Sequence, residues 1–108
     1  MTSNDGAWRI VYRLARDPIP RGETFSLDAW VFSPDAPDAP RSDVRFSVDA
    51  AMPEHGHGMN RVPRIEAAGG GRFHAEGLLF HMPGKWELYF DVTRGPVTER
   101  AQTDVHLE

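Results

Sequence analysis

Apolar and polar residues alternate along most of this chain, which is the pattern of β-strands with one buried face. The clearest example is residues 85–93, where Trp86, Leu88, Phe90 and Val92 occupy every second position. The same alternation predicts further strands over residues 8–14, 25–32, 44–50, 61–67, 72–80 and 99–107. The 3.6-residue period of an amphipathic helix is absent from the sequence.

Turn-forming clusters separate the predicted strands. Residues 17–22 and 33–41 are rich in proline, residues 69–71 are three glycines, and Gly95 precedes Pro96. Prolines lack the N–H group that a sheet interior requires, so these clusters are loops. Seven short strands with turns between them predict an all-β fold, an antiparallel immunoglobulin-like (cupredoxin-like) β-sandwich of about seven strands.

The length of 108 residues is that of a single domain. We assign the sandwich to residues 8–108 and predict that residues 1–7 are a disordered N-terminal segment. Within the strand over residues 72–80, Gly77 predicts a bulge or a bend, because glycine inside a strand pattern marks such irregularities.

Composition narrows the classes of function. A formal net charge of −4 gives no basic field to neutralise phosphates, so we expect no nucleic-acid partner. Apolar runs are too short to cross a bilayer, so we expect no membrane span in this chain. The chain has no cysteine, which excludes disulfides, thiolate zinc sites and cysteine nucleophiles.

The segment Ala51-Met52-Pro53-Glu54-His55-Gly56-His57-Gly58-Met59 contains two histidines and two methionines close together. Imidazole nitrogen and thioether sulfur are ligands that suit copper, especially Cu(I). In an extended segment alternate residues share a face, so His55, His57 and Met59 are expected to converge, and Met52 joins them only through a bend. The sequence therefore predicts a copper site, for Cu(I) or Cu(II), in this Met/His loop.

Other interpretations of the same residues stay open. In the first, Met52 and Met59 fill gaps in the core and the histidines are solvated. In the second, the chain is a non-catalytic protein-interaction module of the cell envelope without metal, which docks through Trp30 and Phe32 or through its methionine-rich end. We do not expect an enzyme, since the sequence shows no serine triad order, phosphate-binding loop or supported pair of catalytic carboxylates.

The motif Met-Pro-x-His-x-His-Gly-Met at residues 52–59 and the later Met82-Pro83-Gly84-Lys85-Trp86 resemble the YtkA-like and FixH-like domain family. The resemblance covers most of the chain, including Pro20 to Val31, although the other strands match only in pattern. It implies an immunoglobulin-like sandwich in bacterial envelope proteins, often beside copper handling or oxidase assembly. FixH-type members carry a membrane anchor, and residues 1–108 contain no visible one.

His81 and Met82 extend the predicted metal site. The strands before them are expected to run to the same end of the sandwich as the Met/His loop. The full predicted ligand set is His55, His57, Met59, Met52, His81 and Met82. His74 alternates with Phe73 and Ala75, which should face inward, so we expect a solvated strand residue there and not a ligand.

The ligand types also indicate a compartment. Thioethers in place of thiolates suit an oxidising space, because thiolates there are lost to disulfide formation. We therefore expect a periplasmic or cell-envelope location and, besides the metal ion, a membrane or envelope protein as partner. The first six residues contain no apolar signal core, so we expect either a cytoplasmic protein or a targeting segment that was removed ahead of residue 1, and the ligand types favour the second.

Overall fold

The chain forms an antiparallel β-sandwich of two four-stranded sheets, in a computed structural model that describes residues 1–59 and 61–108. The strands are β1 (Arg9–Leu14), β2 (Thr24–Phe32), β3 (Arg45–Met52), β4 (His57–Gly58), β5 (Arg64–Ala67), β6 (Arg72–Leu79), β7 (Gly84–Arg94) and β8 (Val97–Leu107). The first sheet has the order β1-β2-β6-β5 and the second the order β4-β3-β7-β8. This architecture confirms the predicted all-β, immunoglobulin-like sandwich.

Seven of these strands correspond to the predicted ones, and the eighth is the two-residue β4 inside the Met/His loop. β5 begins at Arg64 and not at residue 61, because Pro63 has no N–H group to pair and the side chain of Val62 is 93% exposed. Gly77 lies at the register shift between β2 and β6 with a φ of +88°, which confirms the predicted bulge. No helix in the described ranges is long and apolar enough to cross a bilayer.

The core lies between the two sheets and is formed by the inward-facing half of each strand. The apolar face predicted for β7 is buried, with Trp86 and Phe90 fully enclosed. Phe46 on β3 stacks on Phe90 in its own sheet at 5.6 Å and on Phe73 of the facing sheet at 5.1 Å, measured between ring centroids. This aromatic contact therefore joins the two layers.

The N-terminal segment, residues 1–7, contacts the sandwich through its backbone and through Ser3. The terminal ammonium group of Met1 donates to the carbonyl oxygen of Ile10 at 2.9 Å. The hydroxyl of buried Ser3 donates to the carboxylate of Glu99 at 2.7 Å. Glu99 is itself buried, and a buried carboxylate requires such donors. The hydrogen-bond donor that Glu99 on β8 requires thus comes from the N-terminal segment.

Candidate metal centre

The Met/His loop reverses the chain at the end of β3. Pro53–His55 form one 3₁₀ turn, and Gly56 follows in a left-handed conformation with a φ of +66°. β4 then runs back along β3, with His57 paired opposite Met52. The loop is therefore not one extended segment from His55 to Met59 as predicted. Proline favours the first turn of a helix, and glycine adopts the left-handed conformation at low cost.

Three imidazole rings lie together at this end of the sandwich, with His57 between the other two. The ring centroids of His55 and His57 are 6.5 Å apart, and those of His57 and His81 are 5.9 Å apart. His55 and His57 are exposed, and His81 is half-buried. The structure thus brings His81 beside the loop, as the predicted course of the strands required.

These separations can be compared with what one metal ion allows. With a metal–nitrogen bond of about 2 Å, each ring centroid lies about 3.2 Å from the ion, so two ligating rings are at most ~6.4 Å apart. The pair of His57 and His81 falls inside this limit, and the pair of His55 and His57 is just beyond it. A small rotation of His55 would bring this second pair inside the limit as well.

Within the described residues, imidazoles and carboxylates alone do not form a complete metal site. In the ranges 1–59 and 61–108, no group of three or more histidine, cysteine, aspartate or glutamate side chains is arranged to hold a metal ion. Methionine is not among those residue types. A metal site here therefore depends on a side-chain rotation, on a thioether ligand, or on both.

The three methionines of the predicted ligand set differ in position. Met52 is 1% exposed and is the cross-strand neighbour of His57, so both side chains leave the strands on the same face. Its terminal methyl group lies 2.8 Å from where a Cβ atom on Gly84 would stand, so Met52 reaches the turn that follows His81. Met82 is half-buried against the core, and Met59 is 2% exposed within it. Met52 is thus paired with a histidine of the loop, and the burial of Met59 fits its role as core filler.

Trp86 supports the turn that carries His81 and Met82, a role that its place in the apolar alternation did not reveal. Its indole ring stacks on Phe80 with 4.5 Å between centroids and an interplanar angle of 3°. Its Nε1–H donates to the carbonyl oxygen of Met82 at 3.0 Å, and the ring of His81 stands edge-on to it at 5.5 Å. The spacing Met-Pro-Gly-x-Trp was the available signal, because it places the tryptophan four residues after Met82.

An ion pair joins the Met/His loop to the strand that follows His81 and Met82. The Nζ of Lys85 lies 3.8 Å from a carboxylate oxygen of Glu54, which is in the 3₁₀ turn. Both side chains are largely exposed, so this pair contributes little to stability. It does connect the start of β7 to the Met/His loop.

His74 lies away from this centre, on the outer face of the first sheet, and is not simply solvated as predicted. Its Nδ1 is 2.8 Å from Asp28 and its Nε2 is 3.1 Å from Glu76, so both ring nitrogens face carboxylates. Both hydrogen bonds raise the pKa of His74, and the one to Asp28 has the larger effect. Burial raises the pKa of Asp28, but hydrogen bonds from His74 and Arg72 outweigh it and the pKa is lowered.

Fold and geometry together define an antiparallel β-sandwich with a histidine and methionine cluster at one end. No family model and no curated protein matches the chain. Among solved structures, the fold is similar to that of a DUF4426 family protein from Pseudomonas aeruginosa PAO1, with a TM-score of 0.61 and 9% sequence identity. The superposition covers 94% of this chain and 91% of that chain. At this identity the likeness shows a shared fold only.

Proposed function

We propose that this chain is a copper-binding domain of the bacterial periplasm or cell envelope, of the YtkA-like and FixH-like type, and that it is not an enzyme. The observation that carries the proposal is the position of His57, which has His55 and His81 on either side and Met52 as its cross-strand neighbour. Three imidazoles and one thioether, all side chains with copper-binding atoms, thus lie at the same end of the sandwich.

The ligand chemistry favours copper over harder ions. Thioether sulfur selects soft ions such as Cu(I), and imidazole also accepts Cu(II) and Zn²⁺. Carboxylate-rich sites suit magnesium and calcium, whereas Glu54, the acidic residue within the loop, faces Lys85. In the absence of cysteine, the site keeps its ligands in an oxidising compartment.

A competition titration tests the proposal. The protein is titrated with Cu(I) against a chromogenic Cu(I) chelator under anaerobic reducing conditions, and separately with Cu(II) and Zn²⁺. We expect His57→Ala to lower copper affinity by at least about tenfold, because loss of even supporting residues around a metal commonly costs that much. The control is His106→Ala, which removes an exposed histidine from the outer face of β8.

Two conservative substitutions separate the thioethers. Met52→Leu and Met59→Leu both keep the volume of a buried side chain. We expect Met52→Leu to weaken Cu(I) binding selectively and Met59→Leu to leave it unchanged, because Met52 is the one paired with His57. Circular dichroism and thermal unfolding confirm that each variant is folded. Unchanged copper affinity in His57→Ala would refute the proposal.

Acid gives an independent measurement of the same site. An imidazole must lose its proton to bind a metal ion, whereas a thioether has no proton to lose. Affinity for Cu(II), held by the histidines, is therefore expected to fall steeply from about pH 7 to about pH 5, and affinity for Cu(I) to fall less. The double variant His55→Ala/His57→Ala should remove the steep part. A steep fall that persists in this double variant would place the copper elsewhere.

A further inference from the structure

Trp30 and Phe32 lie on the outer face of the first sheet, where neither the core nor the candidate metal centre requires an aromatic residue. Both side chains are half-buried. The register places Trp30 opposite Val11 and Phe32 opposite Arg9 on β1, the edge strand. Val11 is 42% exposed. An apolar strip of surface therefore runs across β1 and β2.

Arginines border this strip on both sides. The guanidinium carbon of Arg9 lies 4.6 Å from the ring centroid of Phe32, and that of Arg13 lies 5.9 Å from the ring centroid of Trp30. Arg72 on β6 is paired directly opposite Trp30. We define the arginine–aromatic face by these residues together with the acidic residue beneath them: Arg9, Val11, Arg13, Asp28, Trp30, Phe32 and Arg72.

This face is cationic in a chain whose net charge is −4. The face carries three guanidinium groups and one carboxylate, that of Asp28, which accepts a hydrogen bond from Arg72 at 2.8 Å and lies 3.6 Å from Arg13. The third guanidinium, that of Arg9, donates to the carbonyl oxygen of Pro37 at 3.2 Å. The side chain of Arg13 remains 72% exposed. A guanidinium has five N–H donors, so these contacts leave donors free for a ligand. Stacking on the aromatic rings also restricts the orientation of Arg9 and Arg13 before any partner arrives.

The spacing of the charges selects the shape of a ligand. Arg9 and Arg13 are four residues apart on the same face of a strand, which corresponds to about 13 Å, and Val11 lies between them. An extended peptide has the same repeat, so carboxylates at positions i and i+4 reach the two arginines while the residue at i+2 meets Val11 and Trp30. Tryptophan and arginine are also the residues that contribute most at protein interfaces.

We propose that the arginine–aromatic face binds an extended acidic segment of a partner protein, of the pattern Glu-x-Leu-x-Glu, with the carboxylates on Arg9 and Arg13. The segment lies along β1 with its apolar side chain over Trp30. The face is on the outer side of the first sheet, whereas the candidate metal centre is in the β3–β4 hairpin and the turn before β7. The binding therefore does not depend on copper.

Fluorescence polarisation with a labelled peptide tests this proposal. The probe carries Glu-x-Leu-x-Glu in an otherwise neutral sequence, and the reference peptide has glutamine in place of both glutamates. On metal-free protein, the acidic peptide is expected to bind at least about tenfold more tightly than the reference, because arginine–carboxylate pairs are charge-assisted and can be bidentate. Raising the salt from about 0.05 M to about 0.5 M should remove most of that difference.

Variants connect the binding to the face. The double variant Arg9→Gln/Arg13→Gln should bind both peptides equally, and Trp30→Ala should weaken both. The matched control is Arg45→Gln, which removes an exposed arginine from the outer face of the second sheet. Equal binding of the two peptides to the wild-type protein would overturn the proposal, as would an equal loss in Arg45→Gln. Binding of polygalacturonate with the same variant dependence, and none of the peptide, would assign the face to an acidic polysaccharide instead and would also overturn it.

Discussion

At the scale of single residues, Gly70 and Gly71 share a left-handed backbone and differ in their surroundings. Their φ angles are +64° and +74°. A Cβ atom on Gly70 would have no heavy atom within 4 Å, whereas one on Gly71 would meet Pro40, with contacts of 2.7, 2.8 and 3.0 Å. Gly71 therefore allows the proline-rich loop to rest on the turn between β5 and β6.

We expect Gly71→Ala to lower the free energy of unfolding by about 1–3 kcal/mol more than Gly70→Ala. Both substitutions place an alanine in the left-handed conformation, at a cost of about 1–2 kcal/mol each. The overlap with the rigid ring and backbone of Pro40 is added only at Gly71. Denaturant unfolding of both variants measures the difference, and equal losses would show that Pro40 does not press on this turn.

At the scale of secondary-structure elements, Trp86 joins the start of β7 to the end of β6. The indole fills the core beside Phe80 and donates its N–H to the backbone of Met82. Packing and hydrogen bonding therefore act together at one side chain, and the turn that carries His81 depends on both.

Substitution of Trp86 by phenylalanine and by alanine separates the two effects. Trp86→Ala should lower the free energy of unfolding by about 3–5 kcal/mol, as large aromatic truncations in cores do. Trp86→Phe keeps a ring against Phe80 and leaves the carbonyl of Met82 without its donor, so we expect a smaller loss, of about 1–3 kcal/mol. Denaturant unfolding decides this. A loss below ~1 kcal/mol for the alanine variant would contradict the buried position of the side chain.

A charged network spans all four strands of the first sheet. Asp28 on β2 contacts Arg13 from β1 and Arg72 from β6, and His74 joins Asp28 to Glu76. Glu76 in turn pairs with Arg64 on β5. The pKa of Glu76 is lowered mainly by its hydrogen bond with His74 and, to a smaller extent, by the charge of Arg64.

This network makes stability depend on pH in a defined direction. The pKa of His74 is raised in the folded state, so its contribution is complete below its ordinary pKa of about 6.5 and is lost as the pH rises through the raised value. The lowered pKa of Asp28 acts in the opposite sense. Its contribution is present above about pH 4 and is lost as the pH falls through the lowered value. The network is therefore strongest between about pH 4 and about pH 6.5.

We expect His74→Gln to reduce the loss of stability that the wild-type protein shows between about pH 6 and about pH 8.5, by on the order of 0.5–1 kcal/mol, because the pair is partly exposed. His106→Gln is the control, since it removes an exposed histidine from β8. Thermal unfolding across this pH range gives the comparison. Parallel pH profiles for the wild-type and His74→Gln proteins would exclude His74 as the titrating group.

At the scale of the whole molecule, the two ends of the chain are joined through Ser3 and Glu99. The Ser3 hydroxyl donates to the carboxylate, and the backbone N–H of Asp5 donates to the same oxygen at 3.2 Å. The backbone N–H of Trp8 also donates to the Ser3 hydroxyl at 3.1 Å. The N-terminal segment thus satisfies a buried carboxylate of β8 while it leads into β1.

Ser3→Ala should therefore lower the free energy of unfolding by about 1–3 kcal/mol, because a buried carboxylate loses one of its donors. Thr2→Ala, whose side chain is exposed, should change it by less than about 0.5 kcal/mol. Hydrogen exchange at the amides of residues 1–7 provides a second measurement. Fast exchange in the wild-type protein, with no effect of Ser3→Ala, would support the predicted disorder of this segment.

The sequence alone determined seven of the eight strands, the bulge at Gly77 and the end of the sandwich that holds the Met/His loop. This was possible because burial in a sheet depends on the parity of a position within its strand, which the alternation of apolar residues records directly. The inward face of β7 follows from the same rule.

Only the tertiary structure decided which distant residues meet. The 3₁₀ turn and β4 replaced the expected extended loop, because Met52 pairs with His57 once the chain folds back on β3. The distance between His57 and His81, and the contact of Ser3 with Glu99 across 96 positions, depend on strand order. Local periodicity carries no information about strand order, since the same alternating pattern is compatible with many arrangements of the same strands.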